Sequence, residues 1–208
     1  PAVPLVAHDP YFSIWSPADR LTDTETTHWT NKPHPLHCQV QIDGAAFRLM
    51  GAQPSHVPAF AQESLEVLPT RTIYRFGDAR VGITLAFITP ALPASLDVLS
   101  RPLTYLVWEV AGRDGREHDI ELSFDASPLL AVNTPDQLVT GERTTGRGWQ
   151  ALRTGTVEQP ALQKQGDDLR IDWGHAYVAA DEAAWSLAFA AASSSPFAPV
   201  APSADSFA

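Results

Sequence analysis

Residues 81–88, with the sequence VGITLAFI, decide the fold class of this chain. Large apolar residues stand at every second position, and mostly smaller or polar residues stand between them. Because successive side chains of a β-strand point to opposite faces, this alternation predicts a strand with one face in a core. Residues 119–125, DIELSFD, alternate in the same way and form the clearest half-buried strand.

Turn and breaker residues divide the rest of the chain into further short strands. Asp43-Gly44 and Asp114-Gly115 each separate two strand-like runs, where Gly accepts the positive φ that tight hairpin turns require. Eighteen prolines, many at the ends of runs, keep the strands short. Residues 105–110 alternate as well, and we expect that strand to be covered on both sides. The fold predicted is all-β, an antiparallel, supersandwich-like β-sandwich with an irregular N-terminal leading segment.

Three parts are predicted along the chain. Residues 1–51 form a leading segment, rich in His, Pro and aromatic residues, that ends in a hairpin. Residues 52–192 form the β-sandwich, and alternating apolar residues predict its last strand over 181–192. Residues 193–208 are rich in Ser, Pro and Ala, which indicates a connection to a following domain.

Composition excludes several classes of protein. Hydrophobic residues make up 44% and charged residues 18% of the 208, which is typical of a globular protein and not of a disordered one. No apolar run approaches the roughly 18 residues that cross a bilayer, so no membrane span is expected. The net charge of −10 argues against nucleic-acid binding, because phosphate contacts draw on clustered Lys and Arg. Lys32 and Lys164 are the only lysines, and the arginines are scattered.

Cys38 is the only cysteine, so no internal disulfide can form. With His34 and His37 it makes the nearest approach to a metal-ligand cluster, in the run HPLHC. Zinc needs about four ligands, and no second ligand pair exists in the sequence, so we expect no metal and no cofactor. As a nucleophile Cys38 would need a His base, but its strand neighbour His37 points to the opposite face. A buried, inert thiol is predicted.

Other catalytic signatures are absent or matched by chance. There is no Gly-x-Ser-x-Gly elbow and no Ser-x-x-Lys pair in the chain. Residues 146–151, GRGWQA, loosely fit a dinucleotide fingerprint. A strand-like run and not a helix follows them, so we interpret these residues as a plain loop.

Asp167, Asp168 and Asp172 are the carboxylate candidates for acid–base chemistry. Paired carboxylates can act as acid and base where their environments separate their pKa values. On a strand predicted over 166–174, Arg170 and Asp172 share a face while apolar residues pack on the other. An Asp beside an Arg normally stays ionised, which favours a structural ion pair over a general acid.

The best candidate for a substrate-binding site lies in the leading segment and combines aromatic with ionisable residues: Asp9, Tyr11, Trp15, His28 and Trp29. Loops of this kind often carry function because a scaffold holds them in place. Aromatic side chains with a few polar groups also suit a sugar or another small molecule. The alternative is that the same aromatics close one end of the sandwich or contact a further domain.

Five aromatic-rich phrases resemble the N-terminal part of the glutaminase A family. They are residues 7–15 (AHDPYFSIW), 28–31 (HWTN), 71–76 (RTIYRF), 99–106 (LSRPLTYL) and 166–174 (GDDLRIDWG). The resemblance runs from Pro1 to about Asp181. Asn31 departs from the family, where Gly is usual at that position.

The resemblance implies a β-sandwich followed by a C-terminal helical domain of the same protein, which would be the partner of this chain. It also implies a secreted or periplasmic protein that hydrolyses L-glutamine to L-glutamate and ammonia. It assigns no catalytic residue within these 208, so the catalytic residues stay unknown and we expect the chain alone to be inactive.

Two other functions stay open on the sequence. One is a carbohydrate-binding or glycoside-hydrolase-associated β-sandwich module, because similar sandwiches accompany helical glycosidases and fold alone does not determine chemistry. The other is a purely structural role, in which the sandwich supports a partner domain through an apolar surface. The small molecule bound would be glutamine in the leading interpretation and a sugar in the first alternative.

Overall fold

A computed structural model describes residues 2–189 of the chain, and β-strands dominate them, which confirms the all-β, sandwich-like fold. No helix in this part of the chain is long and apolar enough to cross a membrane. A short 3₁₀ helix covers Pro128–Ala131. The other elements, in chain order, are β1 (Val3–Ala7), β2 (Ser13–Ser16), β3 (Leu36–Ile42), β4 (Ala45–Met50), β5 (Gln62–Leu68), β6 (Arg71–Gly77), β7 (Val81–Ile88), α1 (Leu96–Leu99), β8 (Tyr105–Gly112), β9 (Ile120–Ala126), β10 (Val139–Gly146), β11 (Trp149–Thr156) and β12 (Ala176–Asp181).

The chain divides into two compact units. The first unit ends at Asp125 and contains three sheets, and the second begins at Ala126 and contains one. The division predicted at residues 51 and 192 rests on the sequence pattern and not on contacts between residues, so it stays a prediction.

The largest sheet of the first unit has four antiparallel strands in the order β5-β6-β7-β8. The alternation of residues 81–88 is confirmed, because Val81, Ile83, Leu85 and Phe87 are buried and the residues between them are half-buried. Burial of such a row removes apolar surface from water, which is the main driving force for folding here.

Strand β8 was predicted to be covered on both faces, and this was wrong. It is an edge strand of the four-stranded sheet, and Tyr105, Val107 and Glu109 on its outer face are exposed. Large residues at every position suggested two buried faces, but only the face with Trp108 turns inward.

A second sheet of the first unit has the order β4-β3-β9. Its hairpin turns at Asp43 and Gly44, whose φ angles of 51° and 82° are both positive, as a two-residue hairpin turn requires. Gly115 also has a positive φ, of 75°. It does not close a hairpin, however, because β8 and β9 belong to different sheets.

Trp108 joins the inner faces of these two sheets. Its ring lies 5.8 Å from the Phe124 ring of β9 in an edge-on contact, which is a favourable aromatic geometry. The Trp108 side chain also lies close enough to Cys38 on β3 to influence the pKa of its thiol. The two sheets therefore form the two layers of a sandwich within the first unit.

His118 connects the β3–β4 turn to the segment between β8 and β9. Its Nδ1 lies 2.8 Å from Asp43 Oδ2, and its Nε2 lies 3.1 Å from Asp114 Oδ1. Asp43 Oδ1 also accepts a bond from the backbone N–H of Asp119 at 3.0 Å. The hydrogen bonds to Asp43 and then to Asp114 raise the pKa of His118.

The leading segment contains a two-stranded sheet of β1 and β2. Thr72 of β6 donates its hydroxyl to the Pro4 carbonyl at 2.7 Å, which ties this small sheet to the larger one. Beyond β2 the backbone makes a tight turn at Asn31, whose φ is 65°. A left-handed residue is needed there, and Asn tolerates that conformation better than most residues other than Gly.

The second unit is built on the antiparallel sheet β10-β11-β12. Arg147 and Gly148 form the two-residue turn between β10 and β11, and Gly148 has a φ of 79°. Of residues 146–151, predicted as a plain loop, only these two lie outside the strands, because β10 ends at Gly146 and β11 begins at Trp149. A strand and not a helix follows the turn, so the run lacks the context of a dinucleotide-binding loop.

Two strands predicted in the second unit are wrong. Residues 166–174 contain no strand, and residues 182–189 form a turn followed by irregular chain after β12 ends at Asp181. Residues 190–192 of the second prediction lie outside the described residues. Alternation is present in both segments, but no neighbouring strand pairs with them.

Candidate functional site

Two loops of the leading segment bring most of the predicted binding residues together. Asp9 Oδ1 accepts hydrogen bonds from the backbone N–H groups of Tyr11 at 2.7 Å and Phe12 at 3.0 Å. A carboxylate that bonds the backbone two and three residues later stabilises a tight turn. The exposed Asp9 therefore has a structural task in the first loop.

His28 is fully buried and holds the two loops together. Its Nε2 lies 3.0 Å from the Pro10 carbonyl, and its Nδ1 lies 2.9 Å from the Thr30 hydroxyl. Nδ1 also accepts from the Thr30 backbone N–H at 3.3 Å, so the proton belongs on Nε2. A neutral ring used in this way orients the loops and is poorly placed to act as a general base.

Trp29 and Tyr11 make the exposed rim of this site. The Trp29 indole N–H donates to the same Pro10 carbonyl at 2.6 Å, which limits the orientation of its ring. Each of the two side chains is nevertheless 47% exposed. An oriented, half-exposed aromatic ring offers a flat apolar face to a ligand.

Trp15 is the fifth predicted residue, and it lies on β2 beside these loops. Its backbone pairs with Thr27, and its indole N–H donates to the Ser13 hydroxyl at 3.1 Å. The structure thus groups Asp9, Tyr11, His28 and Trp29 in the loops and places Trp15 on the adjoining strand.

His8 and His34 were not predicted as part of this group. The His8 ring stacks on Phe12 at 6.0 Å, and the His34 ring lies 5.2 Å from His28. Burial lowers the pKa of His8, although Asp9 opposes this, and its Nε2 contacts the Thr104 hydroxyl at 3.3 Å. Only the clustering of His and aromatic residues in residues 7–34 hinted at this stacking.

The HPLHC run does not assemble a metal site. His34 is buried against the Ser13 carbonyl, and His37 pairs with Glu25 at 2.7 Å. Within residues 2–189 no three His, Cys, Asp or Glu side chains are arranged to hold a metal ion.

Cys38 is buried in the sandwich core, as predicted. Burial raises the pKa of its thiol to about 12, the Trp108 side chain opposes this rise, and the nearby Asp125 adds to it. A thiolate is the reactive form of cysteine, so this residue is inert at neutral pH.

The three predicted carboxylates do not form a catalytic pair. Asp167 and Asp168 are exposed, whereas the Asp172 side chain is only 4% exposed. Asp172 Oδ2 accepts from Lys164 Nζ at 2.5 Å and from Gln137 Nε2 at 3.0 Å. The ion pair predicted with Arg170 is therefore made with Lys164 instead, because the segment is not a strand and its two side chains do not share an open face.

A shallow cleft of about 370 Å³ lies on the outer face of the four-stranded sheet. Charged residues line it, among them Arg75, Glu109 and Arg113. Arg113 forms a two-fold contact with Glu63, at 2.5 Å and 2.8 Å, and Arg75 lies 3.4 Å from Glu66. The cleft combines exposed ion pairs with an open surface, and no base and nucleophile meet in it.

These residues define an all-β sandwich-like protein with an aromatic loop site. The chain belongs to the family described as Domain of unknown function (DUF5127), which matches residues 70–199. A second family, described as Domain of unknown function (DUF4964), matches residues 1–61.

Glutaminase A from Aspergillus oryzae (strain ATCC 42149 / RIB 40) is similar to this chain. The two are 27% identical over 198 residues, which cover 88% of this chain and 27% of that relative. The chain thus spans about a quarter of the length of the curated relative that it matches. No solved structure matches it.

Proposed function

We propose that this chain is the N-terminal, non-catalytic region of a glutaminase-like hydrolase. The reaction proposed for the whole protein is hydrolysis of the L-glutamine side-chain amide to L-glutamate and ammonia. The observation that carries the proposal is the similarity to Glutaminase A over 88% of this chain. Because that similarity covers 27% of the relative, the remaining length leaves room for catalytic residues elsewhere.

The geometry of residues 2–189 supports a non-catalytic role. Amide hydrolysis through a covalent intermediate needs a nucleophile within reach of a base. Cys38 is buried with a raised pKa, His28 donates to a backbone carbonyl, and Asp172 is neutralised by Lys164. Each candidate group is thus committed to holding the fold together.

Ammonia release from L-glutamine tests the proposal. The 208-residue chain and the product of its complete reading frame are assayed side by side at equal concentration. We expect release by the longer protein only. A double variant of the longer protein, Cys38→Ala with Asp172→Asn, should keep the chemical step if it folds. Ammonia release by the short chain, or no release by either protein, would contradict the proposal.

The proposed partner of this chain is a following helical domain of the same protein, and the proposed location is the periplasm or the exterior of the cell. Both proposals rest on the resemblance to glutaminase A. Fractionation of cells that express the complete reading frame tests the location. Recovery of the protein in the cytosolic fraction alone would contradict export.

A carbohydrate-binding module is the second candidate function. The specific observation in its favour is the half-exposed Trp29, oriented by the Pro10 carbonyl beside Tyr11. The apolar face of a sugar ring can stack on an exposed aromatic ring of this kind. Soluble oligosaccharides should quench tryptophan fluorescence in the native chain and not in Trp29→Ala. Trp149→Ala is the matched control, because Trp149 is comparably exposed on another sheet.

A further inference from the structure

The segment over residues 170–174 in the second unit is held at its beginning by a side chain distant in sequence. Asn133 Oδ1 accepts the backbone N–H of Arg170 at 3.2 Å. Gln137 in turn accepts the backbone N–H of Asn133 at 2.7 Å and donates to the Asp172 carboxylate at 3.0 Å. These bonds fix the backbone on both sides of the Arg170 side chain.

The end of the same segment is anchored as well. The Thr156 hydroxyl donates to the Asp172 carbonyl at 2.6 Å. Gln159 binds both backbone groups of Gly174, accepting from N–H at 2.7 Å and donating to the carbonyl at 3.1 Å. An irregular segment with so many side-chain bonds to its backbone is rigid and preorganised.

Arg170 is the exception in this well-bonded segment. The residue is only 7% exposed, and its Nε is buried without a hydrogen-bond partner among residues 2–189. Of the three guanidinium nitrogens only Nε is both fully buried and without a partner, so the two terminal nitrogens keep access to solvent or to a ligand. Asp168 acts on it only through its charge, and burial lowers the pKa of Arg170.

A largely buried cation without a hydrogen-bonded counter-ion lowers the stability of a fold, since burial removes much of its hydration and no hydrogen bond replaces it. Arginine also stays protonated, so loss of the proton does not relieve that cost. A group of this kind is a candidate for ligand binding, because binding sites often lower stability in exchange for function. We propose that Arg170 is the receptor for a carboxylate group that residues 2–189 do not supply.

A carboxylate suits this site better than other anions. Its two oxygens match the two parallel N–H bonds that a guanidinium offers. Asp168, which acts on Arg170 through its charge, would repel a dianion such as phosphate more strongly than a single charge. The carboxylate could belong to a free small molecule or to an acidic side chain of the longer polypeptide. The inference does not depend on the glutaminase proposal.

Thermal unfolding of the chain and its Arg170→Met variant tests this site. In sodium chloride, we expect the variant to melt at a higher temperature than the native chain, because a buried unpaired charge has been removed. Replacing chloride by acetate or L-glutamate at equal ionic strength should raise the melting temperature of the native chain and leave the variant unchanged. Arg153→Gln is the matched control, since Arg153 is a partly exposed arginine of the same unit that is paired with Glu142. It should respond to acetate as the native chain does.

The product of the complete reading frame distinguishes the two sources of the carboxylate. If an acidic side chain of the longer polypeptide occupies the site, acetate has no effect on that protein and Arg170→Met lowers its melting temperature. Arg170→Lys keeps the charge but loses the two-fold bond, so its response should be weaker than that of the native protein in either case. The proposal is overturned if carboxylates have no Arg170-dependent effect on the short chain and Arg170→Met also fails to destabilise the longer protein.

Discussion

At the scale of single residues, His118 is held between two carboxylates that favour its protonated form. Both of its ring nitrogens face carboxylates, Asp43 on one side and Asp114 on the other. A ring bonded to two acceptors must donate from both nitrogens, so the protonated form is favoured. The His118 contact lowers the pKa of Asp43, and the hydrogen bond from the Arg116 backbone N–H, followed by the His118 contact, lowers the pKa of Asp114.

The stability of the first unit should depend on pH through His118. Its pKa is raised in the folded chain, so its contribution is complete below the ordinary value of 6.5 and is lost as pH rises through the raised value. The two carboxylates contribute above their ordinary value of 3.8 and lose that contribution as pH falls through their lowered values. Urea midpoints should therefore decrease from pH 6 to pH 9 in the native chain.

The variant His118→Gln should show a smaller decrease over that pH range than the native chain. His56→Gln is the control, because His56 is exposed in the loop after β4 and away from Asp43 and Asp114 in the sequence. Equal pH dependence in the native chain and His118→Gln would show that His118 does not carry the effect.

Arg48 is a second residue with a structural role that charge alone does not explain. Its guanidinium donates to three backbone carbonyls, those of Val57 at 2.8 Å, Thr22 at 2.9 Å and Gly51 at 2.7 Å. Those carbonyls lie in irregular segments, where no neighbouring strand supplies backbone hydrogen bonds to them.

Replacing Arg48 by Met should lower the free energy of unfolding by about 2–3 kcal/mol, because half-buried carbonyls lose charged donors. Arg75→Met should cost far less, since Arg75 makes an exposed pair with Glu66 at 3.4 Å. Urea denaturation of both variants measures the difference. Equal losses would mean that the carbonyls around Arg48 are well hydrated in its absence.

At the scale of secondary-structure elements, the sheet β5-β6-β7-β8 has a place where side chains are excluded. Gly77 on β6 and Gly82 on β7 face each other, and the Arg113 side chain lies across both. A Cβ on either glycine would overlap the guanidinium that binds Glu63. The missing side chains thus create the surface on which Arg113 crosses the sheet.

A double-mutant cycle should reveal this packing. Gly77→Ala should lower the urea midpoint in the native background, because Arg113 must leave its position. In an Arg113→Ala background the same change should be neutral or stabilising, since Ala favours a strand more than Gly does. Additive effects of the two changes would exclude the steric coupling.

The elements that could be predicted from sequence are those whose signal is local. Every second side chain of residues 81–88 is apolar and buried in the core, and Asp43-Gly44 forms the two-residue turn of the β3–β4 hairpin. Both signals lie within a few residues, so no knowledge of distant partners is needed. The aromatic loop site was found for the same reason, because the residues with the needed chemistry stand close together in the sequence.

Residues 166–174 show why other elements could not be predicted. They alternate as a strand does, but the buried members are Arg170 and Asp172 and not the apolar ones. Asp172 is tolerated there because Gln137 and Lys164 bond to it from other parts of the chain. Hydrophobic periodicity carries no information about such partners, so it predicts a strand with the wrong face inward.

At the scale of the whole molecule, the net charge of −10 determines which partners the chain attracts. Basic residues are few, and several arginines are already paired with acidic side chains. Nucleic-acid binding requires clustered free cations that release counterions from the phosphates.

We therefore expect no change in the fluorescence anisotropy of a labelled DNA duplex or single-stranded RNA when this chain is added at low salt, up to micromolar concentrations of the chain. A basic DNA-binding protein measured in parallel shows that the probe responds. Saturable binding that weakens steeply with salt would contradict this expectation and indicate a basic surface.

The burial of the only thiol has a practical consequence for studying this protein. Cys38 sits between the two layers of the first unit with a pKa of about 12, so thiol reagents should reach it only when those layers separate. The rate of its modification in the native chain therefore measures how often the sandwich opens. A cysteine introduced on the surface would be modified selectively, so that a dye or spin label could be attached without removing any natural residue.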